Sequence, residues 1–272
     1  MIRIGVRSFV AGGGNDADAQ AFIDAAAITD VTQQSAINTL VLDLKNYGIW
    51  TKMKAIYPFV GGTASTHKWN LKDPRDLNAA FRLVFSGGGT HSSTGWLPNG
   101  TNGFANTFFN ISNNFISTSN ASMGCYLRTD TSTSSVDIGA GNTTEAKNGI
   151  LIYSSFNGST LFSCAFSNTF ISPAPTNNDS RGFYSVVRDG GVQRIHKRGD
   201  ITINLSKTEA SAGLSSLNIY IGGGNPIGGS GSYLYSDREQ AFAFIGDIIT
   251  QTEIDNLYTA VQAYQTTLSR NV

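Results

Sequence analysis

The side chains on which chemistry could rest in this sequence of 272 residues are nineteen acidic residues, three histidines and three tryptophans. Hydrolysis of a glycosidic bond needs two carboxyl groups roughly 5 to 10 Å apart, one giving a proton and one taking it or attacking. On a strand this asks for acidic residues at alternate positions, all on one face. Glu145, Glu209, Glu239 and Glu253 make no such pattern. Asp237 and Glu239 stand two apart with no third carboxylate beyond them, and read as a solvated strand entrance. His67, His91 and His196 each lack a second histidine or cysteine at ligand spacing, so no zinc site is expected. His196 reads as an exposed residue near a hairpin end. No Gly-x-Ser-x-Gly elbow occurs. The glycine runs at 12–14, 87–89 and 222–224 lack the helix and lysine that complete a phosphate cradle. No catalytic residue, metal or cofactor is therefore expected.

Binding leaves fainter marks. Trp50 continues a helical apolar face and belongs to a core. Trp69 and Trp96 lie in polar, loop-like surroundings, where an indole could stack on a sugar ring or meet another subunit. Arg198-Gly199-Asp200 spells an adhesion tripeptide, but it falls at a hairpin turn that suits Gly199 for conformational reasons. Asp179 and Asp189 are nominal loop ligands for calcium, and none is expected.

Only 14% of residues are charged, against roughly 25% in ordinary soluble domains. Serine, threonine, asparagine and glycine must therefore carry the polar surface. Nineteen basic and nineteen acidic residues cancel, so no large field draws nucleic acid or an anionic membrane. Cys125 and Cys164 are too few for a disulfide framework and read as buried free thiols in strands. No run of about 18 apolar residues offers a membrane span. The stretch 1–14 is too short and too broken by arginine for a secretory leader.

The elements that must position any site change character near Pro58. Before it, an extended arm (1–15) gives way to helices. Ala19, Phe22, Ile23 and Ala26 form one short apolar face. Asp30, with Gln33 at the capping-box position, opens a longer helix on which Ile37, Leu40, Val41 and Leu44 share a face, and Gly48 closes it. A third short helix is expected from Thr51 through Met53, Ile56 and Tyr57.

After Pro58, short apolar or alternating runs separated by glycine, asparagine and serine predict strands at 81–85, 106–111, 121–128, 135–138, 149–154, 160–167, 182–188, 192–196, 201–205, 216–221 and 240–245. This spacing indicates a sandwich or barrel rather than βαβ units. A closing helix over 250–269 is capped by Thr250 and Glu253 and carries Ile254, Leu257, Tyr258, Val261, Tyr264 and Leu268 as one stripe.

The order Gly-Phe-Tyr-Ser-Val-Val-Arg-Asp-Gly-Gly (182–191), Val-Gln-Arg-Ile-His-Lys-Arg-Gly-Asp (192–200), Leu-Asn-Ile-Tyr-Ile-Gly-Gly-Gly (217–224), Ala-Phe-Ala-Phe-Ile-Gly-Asp (241–247) and the closing helix resembles the C-terminal half of laminin-G-like and concanavalin A-like modules. It covers about a third of the chain. The front half, through Ala-Ile-Asn-Thr-Leu-Val-Leu-Asp-Leu-Lys (36–45), Ile-Trp-Thr-Lys-Met-Lys-Ala-Ile-Tyr-Pro-Phe-Val-Gly-Gly (49–62), His-Lys-Trp-Asn-Leu-Lys-Asp-Pro-Arg-Asp (67–76) and Pro-Asn-Gly-Thr-Asn-Gly-Phe-Ala-Asn-Thr (98–107), resembles head- or tail-associated structural proteins of bacteriophages.

Together these resemblances imply a mainly β chain: a concanavalin A-like jelly-roll sandwich over 61–272, with a helical anchoring segment over 16–60. They imply a multi-copy, non-enzymatic component of a virion, partnered by other virion proteins or by copies of itself. The amphipathic helices could cover an open sheet edge or dock on a neighbouring subunit, and the face Ile37, Leu40, Val41 and Leu44 is the candidate assembly surface. The alternative is a module that binds glycans on a host surface, through Trp69 and Trp96.

Overall fold

The computed structural model describes residues 14–141, 149–167, 169–171, 175–225 and 234–272; the arm expected over 1–15 lies almost wholly outside them. Helices α1 (Ala17–Ala25) and α2 (Val31–Asn46) precede strand β1 (Met53–Tyr57) and a one-turn helix, α3 (Ala64–His67). Strands β2 (Val84–Ser86), β3 (Gly89–Ser92), β4 (Gly95–Pro98) and β5 (Phe104–Asn110) lead to a second single turn, α4 (Ile111–Asn114). Then come β6 (Asn120–Leu127), β7 (Ile138–Ala140), β8 (Ile150–Phe156), β9 (Thr160–Ala165) and β10 (Gly182–Asp189). Strands β11 (Val192–Arg198), β12 (Ile203–Thr208), β13 (Asn218–Ile221) and β14 (Gln240–Gly246) finish the sheets, and α5 (Gln251–Thr267) follows.

An eight-stranded sheet runs β12-β11-β10-β6-β14-β4-β3, with β1 also paired to β14; a six-stranded sheet runs β2-β5-β13-β7-β8-β9. All the pairings between named strands are antiparallel. The middle strands of the larger sheet, β6, β10 and β14, are buried on both faces. Successive strand side chains point opposite ways, so Met123, Cys125, Leu127, Tyr184, Val186, Ala243 and Ile245 enter the core between the sheets. Tyr126, Phe183, Val187, Phe242 and Phe244 enter a second core, shared with α1, α2 and α5. This is why β10 and β14 read as nearly unbroken apolar runs rather than as alternation. Both cysteines are buried free thiols, as expected.

The segment 51–57, expected as a helix, is mainly a strand. Trp50–Lys52 makes a single 3-10 turn, and Met53–Tyr57 then pairs with β14. The residue before a proline disfavours helical backbone, and Tyr57 precedes Pro58. The two faces of the strand also find separate cores: Ala55 and Tyr57 face the other sheet, while Met53 and Ile56 face the helices. Asn70, 1% exposed, completes its edge: its Oδ1 accepts from the Ile56 N–H at 2.9 Å and its Nδ2 donates to the Ala80 carbonyl at 3.0 Å.

Helix caps follow the sequence closely. Asp16 and Asp30 cap α1 and α2 through their side chains, and Thr250 with Glu253 forms both halves of a capping box. Gln33 departs from this, because its side chain instead accepts from the Gly61 N–H at 2.9 Å. Gly48 ends α2 with a positive φ of 71°. Among the described residues no helix is long and apolar enough to cross a membrane.

The expected docking face is a correction. Ile37, Leu40, Val41 and Leu44 are at most 1% exposed and pack in the helix-side core with Ile254, Leu257 and Val261 of α5 and with the sheet. An amphipathic face needs cover, and the chain provides it internally. Truncating Leu44 to alanine should therefore cost about 2 to 5 kcal/mol in urea denaturation and leave the mass in solution unchanged. A lost assembly with unaltered stability would restore the docking role.

Candidate functional site

A buried lysine organises one end of the sandwich. Lys197, on β11, has a side chain with no exposure. Its ammonium donates to Asn177 Oδ1 at 2.6 Å, to the Asp179 carbonyl at 2.7 Å and to Asp200 Oδ1 at 2.5 Å. Asn177 passes the linkage on, donating to the Tyr184 hydroxyl at 2.9 Å and the Ser154 carbonyl at 2.6 Å. An ammonium withdrawn from water must have its donors met, so the loop before β10 and the turn after β11 are both drawn to one point.

Between that loop, that turn and α5 lies a cavity of about 350 Å³, lined by Asp179, Arg181, Asp200, Tyr258 and Gln262 together with Gly182 and Gly199. Gly182 has φ +114°, and a Cβ there would stand 2.5 Å from the Arg198 carbonyl, so only glycine lets the two strands close beneath the cavity. Asp179 is gripped by Arg181, with Nε to Oδ1 at 3.0 Å and Nη2 to Oδ2 at 2.7 Å. That contact holds the Asp179 carboxyl below the usual range. Arg198 fastens the third wall, donating from Nη2 to Asp255 Oδ1 of α5 at 2.6 Å. Its side chain is 8% exposed, so the Arg-Gly-Asp tripeptide offers no free guanidinium. The Tyr258 ring leans on Phe183, centroid to centroid 5.9 Å.

The tryptophans go elsewhere. Trp96 is 1% exposed, a correction to its reading as a surface platform. It lies in β4, packed by Phe85 and His91 and by Gly222, where a Cβ would approach the indole to 2.8 Å. Trp69 is half-buried against the helix-side core, with the Lys68 ammonium 4.6 Å from its ring centre. Trp50 is core, at 8% exposure.

Asp237 and Glu239 precede β14 and are each held by different neighbours. Asp237 accepts from the Thr131 and Thr133 hydroxyls at 2.7 and 2.8 Å, and Glu239 from the Thr94 hydroxyl at 2.6 Å and from Arg128. The nominal calcium ligands already face cations, Asp179 with Arg181 and Asp189 with Arg194. Glu145 lies outside the described residues.

Two histidines that look solitary in sequence meet in space: His67 and His91 place their Nδ1 atoms 2.9 Å apart. Among the described residues no group of three or more metal-ligating side chains forms around them. Burial, then the facing His91, lowers His67 to about 3. His196, expected at the surface, is 2% exposed. It sits between the Ser185 hydroxyl, 3.2 Å from Nδ1, and Gln251 Oε1, 3.0 Å from Nε2. That arrangement suits a neutral ring donating from Nε2, and burial lowers the group to about 4. Ser185 is fully buried and out of reach as a nucleophile.

No protein-family model matches this chain, and no curated protein matches it. Solved structures do. Domain 4 of AbnA, a GH43 extracellular arabinanase from Geobacillus stearothermophilus, in complex with arabinotriose, aligns over 76% of this chain and 98% of its own at 10% identity, TM-score 0.44. The CBM40 of the Ruminococcus gnavus IT-sialidase, bound to alpha2,3 sialyllactose, aligns over 52% and 82% at 12% identity, TM-score 0.37. A mutant Trypanosoma rangeli sialidase displaying trans-sialidase activity aligns over 85% of this chain but only 39% of its own length, at 10% identity and TM-score 0.52. At such identities the likeness concerns the fold. That fold is a jelly-roll-like β-sandwich with a helical lead-in and a closing helix.

The buried histidines set an acid limit. Unfolded, each takes a proton near pH 6.5; folded, His196 refuses one until about 4 and His67 until about 3. Their contribution is thus complete above pH 6.5 and is lost as the pH falls toward those lower values. Replacing His196 by glutamine should flatten the fall in stability between pH 6.5 and 4 by about 3 kcal/mol, read from urea midpoints at each pH. An unchanged slope would contradict it.

Proposed function

We propose that the protein is a non-catalytic glycan-binding module whose cleft lies between the 177–182 loop, the turn after β11 and helix α5. The observation that carries this is the cleft itself: an aromatic ring, Tyr258, beside Asp179 and Arg181, paired with each other, Asp200, held by the buried Lys197, and Gln262. A ring face for the apolar side of a sugar, next to fixed hydrogen-bonding groups, is what recognition of a polyol requires. Its volume sits at the small end of ligand pockets and suits a terminal sugar.

The charges favour a neutral sugar. Asp200 is 40% exposed while its cation, Lys197, is fully buried. Arg181, 47% exposed, is already paired with Asp179. The cleft therefore offers an acceptor and a donor for hydroxyl groups, with no unpaired cation to hold a sugar carboxylate. The same pairings argue for binding over hydrolysis. A general acid needs a raised pKa, whereas Asp179 is lowered by Arg181 and Asp200 takes the Lys197 ammonium.

A multi-copy place on a virion is the setting that the front-segment resemblance implies for this module, with host glycans as the ligand. Assembly would then use surfaces other than the buried face of α2. Titration calorimetry against a panel of neutral and acidic oligosaccharides tests the reading. Binding of neutral sugars, weakened at least tenfold by Tyr258→Ala and by Asp200→Ala, is expected. Failure to bind any glycan, or binding indifferent to both substitutions, would overturn it.

A further inference from the structure

Lys45, Lys52, Lys54, Lys68 and Lys207 meet their carboxylates near the surface, with side chains 24% to 34% exposed. Lys197 meets Asp200 with its own side chain wholly buried. Its three protons have three acceptors: Asn177 Oδ1 at 2.6 Å, the Asp179 carbonyl at 2.7 Å and Asp200 Oδ1 at 2.5 Å. An amine, a carboxamide and a carboxylate thus converge on one point. A carbonyl bond is about 1.23 Å long, so the Asn177 Cγ stands at most about 3.8 Å from the Lys197 Nζ. Asn177, 1% exposed, is fixed there, because its Nδ2 donates to the Ser154 carbonyl at 2.6 Å and to the Tyr184 hydroxyl at 2.9 Å. The Tyr184 ring borders the amine as well, its centre 5.8 Å from Nζ.

We propose that Lys197 and Asn177 join in an intramolecular isopeptide bond, formed by the folded chain on itself with Asp200 as proton carrier. Asp200 takes one proton from the ammonium, and the freed Nζ lone pair attacks the Asn177 Cγ. A C–N bond forms and the carbonyl π pair moves to Oδ1. Asp200 hands its proton to Nδ2, the carbonyl re-forms, and the Cγ–Nδ2 bond breaks with its electron pair going to nitrogen. Ammonia leaves and takes the surplus proton from Nζ as it goes. One ammonium and one carboxamide become a secondary amide and an ammonium ion, with nothing oxidised, nothing reduced and no co-reactant.

The fold favours this step in three ways. Amine and carboxamide are held together before reaction, so little freedom remains to be lost. Burial keeps water from competing for Cγ, while Asp200, 40% exposed, marks the way out for ammonia. The product also replaces a buried cation by a neutral amide, whose N–H can still be met by an acceptor. The bond ties the loop before β10 to β11, and it needs no ligand, so it is independent of glycan binding.

Intact-mass spectrometry of the purified full chain under denaturing conditions tests this. A mass lower by one ammonia is expected. Trypsin should then give a branched product that joins residues 148–181 to residues 195–198 and is uncut after Lys197. Asp200→Asn is expected to keep the circular dichroism of the parent and to form the bond at least tenfold more slowly. The full, unreduced mass in the folded parent chain overturns the proposal. So does an ammonia loss that hydroxylamine cleaves, which marks a succinimide at an Asn-Gly pair such as Asn157-Gly158, and so does bond formation unaffected by Asp200→Asn.

Discussion

A guanidinium removed from water calls for partners to its N–H donors, and among the described residues three arginines are at most 1% exposed. Arg270 donates to the carbonyls of Phe59 at 2.7 Å, Pro58 at 3.1 Å and Ala241 at 3.0 Å, and to Gln265 Oε1 at 2.7 Å. Arg238 donates from its two Nη atoms to Asp137 at 3.1 Å, to Ser135 Oγ at 2.7 Å and to the Thr131 carbonyl at 2.9 Å, and its Nε alone has no hydrogen-bond partner among the described residues. Arg188 gathers the carbonyls of Gly190, Ala165 and Glu209. Each collects backbone from segments distant in sequence. Burying such charge is tolerable only when its partners are in place, so the loops have little freedom to lie elsewhere. Lys197 extends the same constraint to the rim of the cleft.

This places the low charge content in a different light. A chain with few charged residues still commits several of them to its interior, where they fix irregular backbone that no strand ladder can fix. The surface is left to hydroxyls and amides. Two cores on either side of the large sheet supply the hydrophobic driving force, and the buried cations supply the specificity of the loops.

Much of the fold is legible in the residues themselves. The hairpin at 182–198 shows itself by its apolar runs about Asp189-Gly190, and α5 by its capping box and its stripe. What eludes sequence depends on pairing across long separations. Strand β1 is five residues whose extended form is fixed by β14, nearly two hundred positions later. Strands β3 and β4 (Gly89–Pro98) are short and polar at one edge, so Trp96 looks like a loop residue until Gly222 and Phe85 close over it. His196 looks exposed because its cover, Gln251, comes from another element. The cleft is the least legible part, since Tyr258 appears as one more stripe residue and Asp200 as part of a turn. The signal that could have pointed there is the basic run His196-Lys197-Arg198 at the end of a strand, since its cations need partners once they are buried.

Strand β14 lies in the middle of the large sheet, yet it is among the last segments of the chain. Helices α1 and α2 rest on a surface that β14 and α5 help to make, and β1 has β14 as its strand partner. While the protein is being synthesised, the first sixty residues therefore leave the ribosome with a prepared apolar face and nothing to cover it. They must wait until residues 240–270 have emerged. High contact order of this kind slows folding and leaves apolar surface open to wrong partners. Vectorial synthesis thus gives a chaperone, or a neighbouring nascent chain, its opportunity at the front of the molecule.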